Sequence, residues 1–416
     1  MAIASLTPLR HRSFALAMTS SFVSSVGTWM QSVALGIYLT ETTRNPLWLG
    51  LLTVSAWTPA LIGSPIGGVV ADRWSRQRWI QLNNFVMACT ASALAVAALT
   101  HHLTPELACY LAVGEGLCSS ASWAAWQSLL RDLVDADEVL AAVSLSSAQF
   151  NLGRIIGPVL ASVALVLGSV GLCFLMNAAS FIFVLIVFSF VRTPARPRPT
   201  TRVRFFAETV AGARKAWSLA GCRNPIIAIA AIAIVASPFI TLVPAMAIIA
   251  LHSGKIGTTW LVTAQGVGAV CAALTLPIVA KRTSRILVLR GSIMALTGSL
   301  ILYAIAPSLV FAMVAMALLG GSYMGALAGL NTSVQMHAPL AERSRILSLY
   351  TLSLSMFYPL GAFIQADLAR SFGVRDVTFV SAIVLALALL AMKIFKPEFW
   401  TQMGTGTVES PLLLAD

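Results

Sequence analysis

Two ionisable side chains, Glu115 and Arg154, stand inside long apolar segments of the chain. Glu115 follows Leu107 by eight residues, and Arg154 precedes Leu167 by thirteen. At 1.5 Å per residue these positions lie about 12 and 20 Å from the same side of a membrane, so an arginine side chain or one water could join them. A charge at this depth costs about 2.5–3.5 kcal/mol. We therefore expect either a proton-carrying carboxylate or a structural ion pair here.

A second group of chemically capable residues lies in "GGVVADRWSRQRWI", which starts at Gly67. Four charges fall within seven residues, although only 10% of the chain is charged. Paired glycines remove side chains where a helix ends or approaches a neighbour closely. Asp72 can accept hydrogen bonds from the free N–H groups of another helix's first turn. The charges indicate either a gate that uses Asp72 or a loop whose arginines only fix topology.

Long apolar segments must position these residues. Hydrophobic residues make up 58% of the chain, and the mean hydropathy is +0.86, whereas soluble domains are roughly 45–50% apolar. A membrane-crossing helix needs about 20 apolar residues. The sequence therefore predicts an all-α integral membrane protein with twelve spans. The predicted spans are Phe14–Leu39, Pro46–Val70, Trp79–Leu99, Leu107–Leu129, Val139–Leu167, Val170–Val191, Pro225–Ala250, Gly257–Ala280, Ile286–Ala306, Leu309–Val334, Ile346–Leu368 and Val377–Ile394.

The formal net charge of +12 follows the predicted topology. With the N-terminus in the cytoplasm, most Lys and Arg residues fall on the cytoplasmic side, and only Arg44, Lys255, Arg370 and Arg375 fall on the other. This asymmetry is the positive-inside rule. It predicts that both termini are cytoplasmic, and it explains the basic composition without nucleic-acid binding.

The remaining titratable residues favour neither a metal site nor an enzyme. The six cysteines show no Cys-x-x-Cys or Cys/His spacing, so no zinc site or disulfide framework is expected. No G-x-x-x-x-G-K-[ST] segment is present, so ATP is not implied. An intramembrane enzyme would need paired reactive groups at membrane depth, where only Glu115 and Arg154 lie. We expect no catalytic residues, no metal and no cofactor.

A basic stretch divides the chain near its middle. Residues 193–223 open with several prolines and continue with aromatic and basic residues. This pattern fits a helix on the cytoplasmic lipid surface or a solvated linker.

The two halves on either side of this stretch resemble each other weakly. Glu138 and Glu342 are 204 positions apart, and so are Gly157 and Gly361. Repeated halves that enclose a central site are typical of secondary transporters. The predicted divisions are a six-helix bundle at 1–192, the linker at 193–223, a second bundle at 224–396 and a cytoplasmic tail at 397–416.

The loop between the second and third spans resembles the signature G-x-x-x-D-R-x-G-R-R/K of the major facilitator superfamily. The resemblance implies twelve helices in two pseudo-symmetric six-helix bundles. It also implies a cytoplasmic latch between the aspartate and the eleventh helix, which would begin near Ser344–Ile346. The residues that match this gating motif are Gly68, Asp72, Arg73, Arg76 and Arg78.

The exporter subfamily that contains enterobactin exporters and macrolide efflux proteins is similar over nearly the whole chain, and most strongly over the first half. "FNLGRIIGPVLA" resembles its fifth span, where Gly157 and Pro158 would bend the helix. Three positions depart from the family pattern: Ser75 replaces a glycine, Gln77 a basic residue and Ser344 a glycine. The second-half counterpart "KRTSR" has no aspartate.

Aromatic and amide side chains inside the spans are candidates for a substrate cavity or for helix packing. They suit a large, mostly apolar substrate with several polar groups. The candidates are Trp29, Gln31, Trp57, Trp123, Trp126, Gln127, Gln149, Asn151, Gln265, Gln335, Tyr358 and Gln365.

Together these features predict a monomeric secondary transporter of a bacterial inner membrane. The family resemblance implies export of a small amphipathic molecule, such as a siderophore, a macrolide or another drug, by proton antiport with alternating access. An importer of a small metabolite and a membrane sensor without transport are the alternatives.

Overall fold

The computed structural model describes residues 6–193, 213–339, 342–396 and 398–403, with only the main chain of Asp72, Ser344, Trp400 and Thr401. Most of the predicted linker and tail lies outside these residues. The described part is helical and contains no strand. After a short 3-10 helix (Thr7–Arg10), the helices are α1 (Arg12–Thr43), α2 (Leu47–Trp57), α3 (Ala60–Arg73), α4 (Arg76–Leu99), α5 (Pro105–Asp132), α6 (Val139–Leu167), α7 (Val170–Phe190), α8 (Ala220–Val235), α9 (Phe239–Ala245), α10 (Gly254–Arg282), α11 (Arg285–Ala304), α12 (Leu309–His337), α13 (Arg343–Phe372), α14 (Val374–Phe395) and α15 (Glu398–Thr401).

All twelve predicted spans coincide with helical structure. In the described part of the chain, eleven spans are long and apolar enough to cross a membrane. The remaining predicted span corresponds to α5, which has 28 residues and is therefore about 42 Å long. Its lower apolarity reflects Glu115 and several serines and glycines. The chain is therefore a multi-pass membrane protein, and α5 carries Glu115, the carboxylate that the sequence places inside a span.

Two predicted spans are not single helices. The second is interrupted between α2 and α3, where Pro59 has no N–H to donate to the preceding turn. The seventh is interrupted after Val235 and ends in a π-helical turn, Met246–Ala250. Hydropathy alone predicts neither break, since the apolar run continues through both.

Several helices begin earlier than the apolar runs, because a polar side chain caps the first turn. Thr104 Oγ1 accepts a hydrogen bond from the N–H of Leu107 at the start of α5, over 3.2 Å. Ser284 Oγ does the same for the N–H of Leu287 at the start of α11, over 3.2 Å. Such caps satisfy main-chain donors that the helix itself leaves free.

The chain divides into two compact units. The first contains Met1–Arg202 and Thr241–Gly266, and the second contains Val203–Ile240 and Val267–Asp416. In the first unit, α1 packs against α6 and α7, α4 against α7, and α5 against α3 and α4. In the second unit, α13 packs against α8, and α11 against α12 and α14. The predicted division into two bundles stays a prediction, since Thr241–Gly266 groups with the first unit.

Candidate functional site

Glu115 is the centre of a hydrogen-bonded network within the first unit. Gln31 on α1 donates from Nε2 to Oε2 of Glu115 over 2.6 Å. Thr90 on α4 lies with Oγ1 3.3 Å from Oε1 of Glu115 and can donate to it. Both carboxylate oxygens therefore have neutral hydrogen-bonding partners, which come from two other helices.

The network continues from Gln31 to α7. Asn177 donates from Nδ2 to Oε1 of Gln31 over 2.8 Å, and Ser180 Oγ lies 3.1 Å from Oδ1 of Asn177. Gln31 and Asn177 are 2% and 0% exposed. A Cβ atom on Gly27 would lie 2.5 Å from Asn177 Oδ1, so glycine leaves room for this amide. The sequence predicts Gln31 as a cavity residue, and the structure places it as a buried link between Glu115 and Asn177.

Arg154 lies in an aromatic environment. Its guanidinium carbon is 5.4 Å from the centroid of the Trp29 ring, within the range of cation–π attraction. Phe150 contacts both Trp29 and Trp123 edge to face, with centroid separations of 5.9 and 6.4 Å. Glu115 and Arg154 thus have different partners among these contacts, and their direct pairing stays a prediction.

The glycines of the loop motif differ in their surroundings. A Cβ atom on Gly67 would overlap the main chain of Ala121, so this glycine allows α3 to approach α5 closely. Gly68 has no atom within 4 Å of such a Cβ. Of the two readings of these glycines, close approach fits Gly67, and the role of Gly68 near the end of α3 stays a prediction.

The polar residues after these glycines stabilise helix ends of the same unit. Ser75 caps α4 by accepting from the N–H of Arg78 over 3.4 Å. Arg76 donates to the carboxylate of Asp132 at the end of α5. The side chains of Arg73 and Arg78 are exposed. Asp72 stands in the last turn of α3, and its side chain is outside the described residues.

Gln77 occupies the place of a basic residue in the family signature. It donates from Nε2 to the main-chain oxygens of Phe188 and Val191, over 2.6 and 3.0 Å. These oxygens lie at the C-terminal end of α7, where main-chain acceptors have no partner within the helix. The departure from the signature thus preserves a donor at this place.

The other cavity candidates have diverse environments. Trp57 and Trp123 are exposed, Gln127 is half-buried, and Tyr358 and Gln265 are buried. Asn151 and Gln335 donate to residues four positions earlier in their own helices. Gln149 donates to Ser21, Trp126 to Ser146, and Gln365 to the main-chain oxygens of Ile234 and Val235.

Gly157 and Pro158 lie within α6, which is continuous from Val139 to Leu167. A Cβ atom on Gly157 would lie 2.6 Å from Cβ of Trp29 and 2.8 Å from the main-chain oxygen of Val26. Glycine at this position therefore allows α6 to lie close to α1. The predicted bend stays a prediction.

The structure brings His11 close to Asp135 and Glu138, a cluster that the spacing of these residues in the sequence does not predict. His11 Nε2 lies 2.7 Å from Oε2 of Glu138 and 3.8 Å from Oδ2 of Asp135. The group has atoms that could ligate a metal ion. Its members are 124 or more positions apart from His11 in the chain, so only the fold brings them together.

A family model described as "Transmembrane secretion effector" matches residues 3–409. The staphyloferrin A transporter of Staphylococcus aureus is 26% identical over 164 residues, which cover 39% of this chain and 41% of that protein. The enterobactin exporter EntS of Salmonella typhimurium is 28% identical over 194 residues, which cover 45% and 46%. The matches thus span less than half the length of these curated relatives.

Solved structures of transporters have the same fold. The nucleoside transporter NupG aligns with a TM-score of 0.73 at 16% identity, covering 92% of this chain and 100% of that chain. A bacterial homologue of the lysosomal transporter Spinster, in an inward-facing, occupied conformation, aligns with a TM-score of 0.71 at 15% identity, covering 97% and 99%. The chain therefore belongs to the transmembrane secretion effector family of transporters and has the twelve-helix major facilitator fold.

Proposed function

We propose that this transporter exports a small amphipathic molecule by proton antiport. The observation that carries the proposal is the carboxylate of Glu115, which is held within the membrane-spanning helices by the neutral side chains of Gln31 and Thr90. A carboxylate among neutral hydrogen-bonding groups can bind and release one proton, which is the chemistry that antiport requires. The names of two relatives, a staphyloferrin A transporter and an enterobactin exporter, favour siderophores as the first substrates to test.

The aromatic residues near Arg154 suit the substrate side of this exchange. Phe150 and Trp123 are 41% and 54% exposed, and they offer apolar faces close to a cationic group. Such a surface favours a molecule that has both ring systems and acidic or polar groups. Alternating access would couple proton exchange at Glu115 to movement of this molecule.

We also propose that the protein acts as a monomer in the inner membrane of a bacterial cell, with both termini in the cytoplasm.

We propose further that Asp72 gates the cytoplasmic side of the transporter. The gating proposal rests on the position of Asp72 in the family signature. Asp72→Asn should raise cysteine labelling of the cytoplasmic cavity and lower that of the outer cavity. Labelling identical to wild type in both cavities would remove the proposed gate.

The direct test measures transport in proteoliposomes with an imposed pH gradient, with enterobactin and staphyloferrin A as probes. Glu115→Gln should abolish gradient-driven transport while leaving exchange without a gradient. Glu106→Gln, a change of the same type in the first turn of the same helix, is the matched control and should behave as wild type. Full gradient-driven transport by Glu115→Gln would refute proton coupling through this residue.

Export is tested in cells. Cells that produce the protein should accumulate less of the transported compound than cells without it, and an uncoupler should remove the difference. Greater accumulation in the producing cells would instead indicate import.

A further inference from the structure

The hydroxyl of Thr90 has two acceptors within reach. Its Oγ1 lies 3.3 Å from Oε1 of Glu115 and 3.0 Å from the main-chain oxygen of Met87. A threonine hydroxyl has one hydrogen, so it donates to one of these oxygens at a time, and its lone pairs remain able to accept. Thr90 can therefore donate to Glu115 or accept from it.

The second oxygen of Glu115 faces a group that only donates. Gln31 presents its NH₂ to Oε2, since its own oxygen accepts from the NH₂ of Asn177. Rotating the Gln31 amide by half a turn would place its oxygen against the carboxylate and its NH₂ against the NH₂ of Asn177. With the Gln31 and Asn177 amides in these orientations, Oε2 accepts in both protonation states, and a proton on Glu115 belongs on Oε1, beside Thr90.

We propose that Thr90 is a positioning residue whose hydroxyl alternates between donor and acceptor as Glu115 exchanges its proton. The inference rests on the proposed role of Glu115 in coupling. When Glu115 is ionised, the Thr90 hydroxyl donates to Oε1. When a hydronium ion from the solvent transfers a proton to Oε1, one of its O–H bonds breaks, a water molecule is left and an O–H bond forms on Glu115. The new O–H donates to Thr90 Oγ1, and the threonine hydrogen turns to the main-chain oxygen of Met87.

This arrangement satisfies the partly buried carboxyl group in both states. A buried polar group without a partner costs about 1–3 kcal/mol. If only donors surrounded the carboxyl group, the hydrogen of the neutral acid would have no acceptor. If only acceptors surrounded it, they would destabilise the ionised carboxylate. Thr90 removes both problems, because Oε1 of Glu115 has a hydrogen-bonding partner whether the carboxyl group is ionised or neutral.

The side chains that face Glu115 from neighbouring helices are neutral, so proton exchange at Glu115 involves no charged partner among these contacts. The facing residues from α1, α4 and α7 are the neutral Gln31, Thr90 and Asn177. α2 and α7 contain no charged residue, and the charged residues of α1, α3 and α4 stand near the helix ends. Cys118 is three residues after Glu115 on α5, and Cys89 is next to Thr90 on α4. The guanidinium of Arg154 on α6 lies over the ring of Trp29.

The test is pH-dependent infrared difference spectroscopy on the purified, reconstituted full chain. Glu115→Gln should remove the C=O stretching band of a protonated carboxyl and so identify it. In Thr90→Val, which keeps the side-chain shape, this band should move to higher frequency, because the neutral acid loses its acceptor. Its titration midpoint and the pH profile of transport should change by less than about one pH unit, because the variant removes a hydrogen bond from both the ionised and the neutral carboxyl group.

Two controls separate the hydroxyl from the fold. Thr90→Ser restores a hydroxyl and should restore the wild-type band and midpoint. Thr100→Val removes the hydroxyl of the residue that directly follows α4, which donates to the main-chain oxygen of Val96, and it should change neither the band nor the midpoint. An unchanged band and midpoint in Thr90→Val would overturn the inference, as would a Glu115→Gln spectrum with no band lost. If Glu115→Gln instead keeps gradient-driven transport while the Thr90→Val band moves, the proposed coupling fails and the role of Thr90 stands.

Discussion

Gly67 lies directly against the main-chain oxygen of Ala121, and a Cβ atom added to the glycine would overlap that oxygen. The contact joins α3 to α5, the helix that carries Glu115. A position four residues earlier, Gly63, meets the main-chain oxygen of Leu117 and the side chain of Ser120 in the same way. The two glycines thus form one close-packing face of α3.

The first prediction compares adjacent glycines of this motif. Gly67→Ala should lower the free energy of unfolding by about 1–3 kcal/mol, because the added methyl group overpacks the contact with α5. Gly68→Ala should be tolerated, since an added Cβ meets no atom within 4 Å. Thermal unfolding of both variants in detergent measures the difference. Equal loss of stability in the two variants would contradict the assigned contact.

The difference between these glycines shows what the sequence can and cannot predict. The apolar runs predict all twelve spans because a membrane helix needs an unbroken apolar length. The facing partner of each residue depends on helix rotation, and consecutive residues point about 100° apart. Gly67 and Gly68 therefore cannot both face α5, and a sequence motif that names both leaves the choice open.

The hydrogen-bonding partners of Glu115 could not be predicted from the sequence either, because they also depend on how each helix is rotated. Depth along the helix suggests Arg154 as a neighbour, and that pairing stays a prediction. The structure shows Gln31, 84 positions earlier on α1, as a partner that depth does not indicate. The sequence shows which amide side chains lie inside the apolar helices. Which of them meets the carboxylate is decided by the packing of α1, α5 and α7, which no local pattern encodes.

The second prediction concerns Asn177. Asn177→Ala should lower the free energy of unfolding by about 1–3 kcal/mol, because the buried oxygen of Gln31 loses its donor. Asn151→Ala is the matched control: Asn151 donates to the main-chain oxygen of Ser147 within its own helix, and its loss should cost less than half as much. Denaturation of both variants in the same detergent tests the order. A greater loss in Asn151→Ala would mean that the network adds no stability.

The third prediction concerns the ion pair of Arg76 and Asp132. Their side chains are 24% and 7% exposed, so water screens this pair less than a surface pair. A double-mutant cycle with Arg76→Gln and Asp132→Asn should give a coupling energy of about 1–2 kcal/mol, above the roughly 0.2–1 kcal/mol typical of exposed pairs. Arg78→Gln, at an exposed side chain on the same turn, should change stability by less than about 0.5 kcal/mol. A coupling energy near zero would indicate that the pair contributes only to loop topology.

The fourth prediction concerns Gln77, where the chain departs from the family signature. Its Nε2 donates to the oxygens of Phe188 and Val191 at the end of α7, so Gln77→Ala should lower the free energy of unfolding by about 1 kcal/mol. Gln77→Arg should be tolerated, because an arginine also donates and its positive charge is favourable near a helix C-terminus. Gln335→Ala, which removes an exposed amide that donates to Asn331 of its own helix, should have little effect. Thermal unfolding of the three variants checks this order, and a Gln77→Arg variant as unstable as Gln77→Ala would show that a basic residue cannot replace this donor.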